Sequence, residues 1–190
     1  MSEHDGEGRD REQVAPLLSA FLSRMDAKSE VRAPTTVNAA VNRFGWSTRD
    51  LAREMGVSER TARRWKQFDR VPERKAERFR DVVKSAAAQR QRQRIERRGL
   101  SGMQVEGVYW VSDKRNRYRA RKDTPARFGT MSGNLNRNRI MPAQMREVFG
   151  ALDRGELSEA EEMFAEAFSE AYGSSGVLNW EEIDDIDYEI

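Results

Sequence analysis

Cysteine is absent from the 190 residues, which excludes disulfides and thiolate metal sites. Histidine occurs once, as His4 in a polar N-terminus, and is read as a bystander; no metal site and no cofactor are expected. No apolar run approaches the length of a membrane span and no signal peptide appears, so a cytoplasmic, nucleoid-associated location without a membrane partner is the expectation. There is no Walker loop, nucleophile elbow, His-Glu-x-x-His or Gly-x-Gly-x-x-Gly. The acidic residues Glu181, Glu182, Asp184, Asp185 and Asp187 are strung along one segment, whereas catalytic carboxylates usually converge from separate elements. The chain is therefore expected not to be an enzyme.

What the chain has in abundance is segregated charge. Hydrophobic residues make up 37% and charged residues 35%, so the cores are modest and the surface is highly charged. The net charge of +2 hides three blocks: −2 over residues 1–42 (5 basic, 7 acidic), +16 over 43–139 (27 basic, 11 acidic) and −12 over 140–190 (2 basic, 14 acidic). A basic middle with an acidic end is the footprint of a nucleic-acid binder, with DNA the expected partner.

The basic block is organised around Thr48–Gln67, which reads as a helix-turn-helix. Leu51, Ala52 and Met55 share one face of a first helix. Gly56 gives the backbone freedom for a tight turn, Val57 plugs the corner, and Ser58 is placed to cap the second helix. Ala62 and Trp65 point back at the first helix, and small Ala52 and Gly56 allow close approach. The opposite face carries Ser58, Glu59, Arg60, Arg63, Arg64 and Gln67, side chains suited to base edges in a major groove. An ordinary αα-hairpin has the same spacing; the charge distribution favours the DNA-reading helix.

Around this pair the expected fold is mainly α with a small β element (α+β). It comprises an N-terminal helix-turn-helix bundle, a long basic helix and a small C-terminal α+β unit. Residues 1–34 are read as a flexible N-terminus with a short helix near Gln13–Met25. Residues 35–98 are read as the DNA-binding domain with its basic helix, and 99–190 as an α+β domain with an acidic C-terminus. A helix near Thr36–Phe44 covers the hairpin, and Ser47 with Asp50 approximates a capping box. From Pro72 a long helix runs on past Ala88, where its apolar stripe ends. Its extension carries Arg90, Arg92, Arg94, Arg97 and Arg98, a row that contacts phosphates whatever the base sequence or is simply solvated. Met103–Val111 reads as a strand and Arg117–Arg121 as its return. Helices are expected over Pro142–Asp153 and after Ser158, the latter with a capping box to Glu161. Val177–Ile190 is either a strand completing the sheet or an acidic peptide that docks on a partner. Tyr109, Trp110 and Tyr118 either stack on bases or pack in a hairpin core.

Taken together, Gly56–Trp65, Arg127-Phe128-Gly129, Arg139-Ile140, Phe164–Tyr172 and Ile186-Asp187-Tyr188 give a pattern that resembles the telomere-protecting terminal proteins of linear actinobacterial chromosomes and plasmids. The resemblance spans roughly residues 36–190. It implies binding to telomeric DNA ends, as single-stranded overhang or duplex, and a Ser or Thr hydroxyl that serves as protein primer and becomes linked to the DNA 5′ end. It places that hydroxyl just after Arg127–Gly129, at Thr130 or secondarily Ser132. It also implies a telomere-associated DNA-binding protein and a DNA polymerase as partners. The rival reading is a helix-turn-helix transcriptional repressor or plasmid partition or replication factor, acting as a homodimer on a palindromic duplex.

Overall fold

A computed structural model describes residues 16–112, 117–119, 126–128, 139–173 and 177–190. Among these residues the chain forms seven helices and four strands. In order they are α1 (Pro16–Val31), α2 (Val37–Phe44), α3 (Thr48–Met55), α4 (Glu59–Phe68), α5 (Glu73–Arg98), β1 (Gly102–Ser112), β2 (Arg117–Arg119), β3 (Ala126–Phe128), α6 (Pro142–Asp153), α7 (Leu157–Tyr172) and β4 (Val177–Glu189). The architecture is mainly α with a smaller antiparallel sheet, as composition and periodicity indicate. No helix among the described residues is long and apolar enough to cross a membrane.

The chain divides into two compact units: residues 25–93, and the residues up to 24 together with 94–190. The divisions fall inside α1 and α5, not at residues 34/35 and 98/99 where composition places them. The start of α1 is no appendage. Leu17, Leu18 and Phe21 are fully buried, and the Phe21 ring lies 4.8 Å from that of Phe164 and 5.0 Å from that of Tyr188. Likewise Ile95, beyond Ala88 where the periodic apolar stripe of α5 ends, is completely buried.

In the unit 25–93 the core is a single cluster. Val37, Ala40 and Val41 of α2, Leu51, Ala52 and Met55 of α3, Ala62 and Trp65 of α4, and Phe79 and Val83 of α5 fill it. The second unit is a helix-backed sheet. β4 pairs antiparallel with β1 from Gly102↔Glu189 to Ser112↔Val177, with irregularities at Glu106/Gly107 and Val108/Tyr109. β3 pairs the start of β1 and β2 its end, so those two short strands share its other edge. The C-terminal segment is thus a structural strand with Leu178, Trp180, Ile186 and Tyr188 buried, while Asp184, Asp185, Asp187 and Glu189 face solvent.

Helix α7 backs this sheet through Phe164, Ala167, Phe168 and Ala171, all buried. Phe168 meets Trp180 edge-on at 6.1 Å, and aromatic pairs of this kind add roughly 0.5–1.5 kcal/mol beyond the area they bury. The Ser169 hydroxyl donates to the Ala165 carbonyl (2.6 Å) and accepts from the Leu178 amide (2.9 Å), tying helix to strand. The capping box expected at Ser158 and Glu161 does not form. The helix starts at Leu157, with Glu156 at the cap and no side-chain cap bond, because Gly155 (φ 78°) turns the chain early and the Glu156 amide bonds the Ala151 carbonyl. Ser158 therefore lies inside the first turn.

Candidate nucleic-acid interface

The site is built on the turn between α3 and α4. Ser47 caps α3 in a full capping box: its hydroxyl accepts from the Asp50 amide at 3.1 Å, and the Asp50 carboxylate accepts from the Ser47 amide at 2.9 Å. The Ser47 hydroxyl also donates to the Asp50 carboxylate at 2.7 Å, and this bond first, with the Ser47 amide second, holds the Asp50 carboxyl below its ordinary value, Arg53 and Arg49 adding smaller pulls against desolvation. Gly56 closes α3 in the left-handed conformation (φ 61°), which any side chain adopts at a cost. The Val57 amide then bonds the Ala52 carbonyl at 2.9 Å. Ser58 caps α4, accepting from the Thr61 amide at 3.3 Å. Ala62 and Trp65 face the core, so the rest of α4 is turned outward.

Along that outward face, and across the turn that follows, runs a groove of about 1190 Å³. Ser58, Arg60, Arg63, Arg64 and Gln67 line it as the sequence indicates, and Arg70, Arg74 and Lys75 join them from the turn and the first residues of α5. Six of the described lining residues are cationic and none is acidic. Like charges sharing a groove repel one another, and a polyanion laid along it removes that repulsion. Glu59 is not part of the groove: it is exposed in the first turn of α4, where a carboxylate suits the positive end of the helix dipole. Arg70, Arg74 and Lys75 lie beyond the end of α4, so the periodicity of that helix does not announce them. The signal that finds them is the short Asp69–Pro72 turn, which keeps Arg70, Arg74 and Lys75 within reach of the end of α4.

The basic extension of α5 divides differently. Arg90 donates to the carbonyl of Arg43, so this guanidinium serves a structural contact, and Arg92 and Arg97 have partners within the protein as well. Arg94 and Arg98 are exposed. Arg90 and Arg92 belong to one compact unit and Arg94, Arg97 and Arg98 to the other. The Arg-rich stretch is therefore not a single cationic face of one unit.

Tyr109 and Trp110 lie in β1 opposite Trp180 and Asn179 of β4, and Trp110 and Val111 pair with Arg119 and Tyr118 of β2. Thr130 and Ser132 lie outside the described residues. No group of His, Asp and Glu among the described residues is arranged to hold a metal ion.

Comparison of the chain with models of known protein families, with curated proteins and with solved structures finds no match.

Proposed function

We propose that this chain is a DNA-binding protein that lays α4 against a major groove and holds the flanking phosphates with the cations of the adjoining turn. The observation that carries the reading is the groove along α4, with six cations and no acidic residue among its described lining. Arg63, Arg64 and Gln67, exposed on α4, supply the forked donors and amides that read guanine and adenine edges. Arg70, Arg74 and Lys75 supply charge at the rim, where phosphates lie. Arg63, Arg64 and Gln67 are carried by a helix that Ser58 caps, and Arg70 by the turn that follows it.

Within that reading we assign the chain the role its sequence resemblance implies: a telomere terminal protein that primes DNA synthesis. The chemistry asked of it is that of an acceptor. The hydroxyl oxygen of Thr130, or of Ser132, attacks the α-phosphorus of a deoxynucleoside triphosphate. A phosphoester bond forms, the bond to the β-phosphate breaks, pyrophosphate leaves, and the hydroxyl proton passes to solvent. The polymerase supplies the metal ions. The test is incubation of the chain with the polymerase of its replicon and labelled nucleotide. Label that survives a denaturing gel and disappears in a Thr130→Ala, Ser132→Ala double variant supports the role. Sequence-specific binding of a dimer to a palindromic duplex, with no covalent label, assigns the chain to the repressor or partition class instead.

A further inference from the structure

One side chain of the α4 groove is not accounted for by charge. Phe68 lines the groove, is the last residue of α4, and leaves 65% of its surface exposed. Trp65, three residues earlier, is only 6% exposed and belongs to the core cluster, which Phe68 does not join. A lone exposed apolar residue is ordinary on a protein surface. This one stands among six cations, and its position is fixed by an unusual cap.

The cap is Asp69, the only non-glycine residue with positive φ (49°) among the described residues. Aspartate tolerates this conformation better than most residues, and here it is clamped. The Asp69 carboxylate accepts from the Asn38 amide at 2.7 Å, and the Asn38 side-chain amide donates to the Lys66 carbonyl at 3.1 Å. The Arg70 amide closes on the Trp65 carbonyl at 3.2 Å. Helix α2 thus holds the last turn of α4, and Phe68 projects from a pinned helix end rather than a frayed one.

We propose that Phe68 is a stacking platform for a nucleobase that has left the helical stack, with Arg70 and Arg74 holding the phosphates on either side. The proposal rests on the DNA-binding reading above. It adds a contact to a base face, which a groove of arginines and glutamine reading base edges does not supply. A cationic groove combined with an aromatic ring is the combination that unstacked nucleic acid selects, because every base offers a π-face whatever its sequence. The consequence is a preference for DNA with an unpaired or easily unstacked base.

The test uses the full chain and two DNA duplexes that differ only at one 2-aminopurine, paired in one and bulged out in the other. Phe68→Ala should weaken binding to the bulged duplex by about fivefold to about 150-fold, restore the 2-aminopurine emission that the wild type quenches, and change binding to the paired duplex less than about twofold. Phe68→Trp should retain the preference and Phe68→Leu, apolar but without a ring face, should lose it. Because Phe68 is exposed, thermal unfolding should be the same in all three variants. Equal effects on both duplexes, or none, overturn the platform. If Arg63→Ala, Arg64→Ala still weakens both duplexes in that case, the groove stands without it. Failure of the wild type to bind either duplex at low salt overturns the DNA-binding reading and the platform together.

Discussion

The groove makes a quantitative statement about salt. Each phosphate neutralised by a lysine or arginine releases condensed counterions, so the logarithm of the binding constant falls with the logarithm of salt at about −0.9 per contact on duplex DNA. Of the six cations that line the groove, Arg63 and Arg64 are given to base edges, so engagement of the other four gives a slope of about −3.6. Between 50 and 200 mM salt, affinity then falls by roughly 150-fold. Arg70→Ala, Arg74→Ala removes two of these contacts and should bring the slope to about −1.8, with a fall of roughly 12-fold over the same range. Because rim charges carry no base information, this variant should lose affinity alike on every sequence. Arg63→Ala should instead cost about 1–3 kcal/mol on a preferred site and less elsewhere. Fluorescence anisotropy across a salt series measures both quantities. The matched control is Arg94→Ala, Arg98→Ala at the end of α5. If that pair shifts the slope by about 2 and the groove pair leaves it unchanged, the phosphates lie along the α5 extension and the argument from the groove is refuted.

Further outcomes follow from the geometry of single turns, caps and strands. Gly99→Ala should destabilise the second unit by about 3 kcal/mol or more: a Cβ there would lie 2.1 Å from the Ile140 carbonyl oxygen at φ +71°, breaking the paired Leu100–Ile140 bonds of 2.9 and 3.0 Å. Gly56→Ala, where the nearest atom is the movable tip of Arg78 at 3.0 Å, should cost only about 1–2 kcal/mol in urea unfolding. Ser47→Ala should cost about 1 kcal/mol by loss of the α3 cap. The Asp50 carboxyl in the same box is held below its ordinary 3.8, so its support is complete above that pH and lost as pH falls through the lower folded value, and Asp50→Asn should flatten that acid limb. Deletion of residues 177–190 should strip hydrogen-exchange protection from the β1 amides on the β4 edge, since it removes the strand that pairs β1 from Gly102 to Ser112 together with four buried side chains of β4; full retention of that protection would make β4 an ornament of the fold.

The parts of this fold that can be read from the sequence are those specified within a few residues. The spacing of Leu51, Ala52 and Met55, the glycine at 56, and the hydroxyls at 47 and 58 each act across three or four positions, and the helix-turn-helix forms as that pattern dictates. The burial of Ala160, Phe164, Ala167, Phe168 and Ala171 along α7 is legible for the same reason. What the pattern misplaces are choices made over distance. Phe21 belongs with Phe164 and Tyr188, contacts more than 140 positions away, and no local signal distinguishes that from a flexible leader. Ile95 stands alone among arginines in the sequence, yet a single buried face one residue wide suffices where another element covers it. At Ser158 a valid local signature loses to the turn imposed by Gly155, because a cap forms only where the backbone leaves the helix.

The same distinction separates the outward face of α4 from the rest of its groove. Ser58, Arg60, Arg63, Arg64 and Gln67 share one helix element, so their period reveals them. Arg70, Arg74 and Lys75 need only lie near that face, and they come from the turn and from α5. Their placement depends on Asp69 adopting a left-handed conformation that sequence rarely announces for a non-glycine residue, and on Asn38, thirty-one positions earlier, accepting the role of clamp. A substitution at Asp69, which does not line the groove, therefore tests the site without touching any group in it. If the clamp sets the direction of Phe68 and the approach of Arg70 and Arg74, Asp69→Gly, which keeps the left-handed turn but removes the carboxylate that accepts from the Asn38 backbone amide, should reduce DNA affinity while leaving Arg63, Arg64 and Gln67 intact. The loss should appear as a weaker preference for an unstacked base and a shallower salt slope together, since one turn carries both.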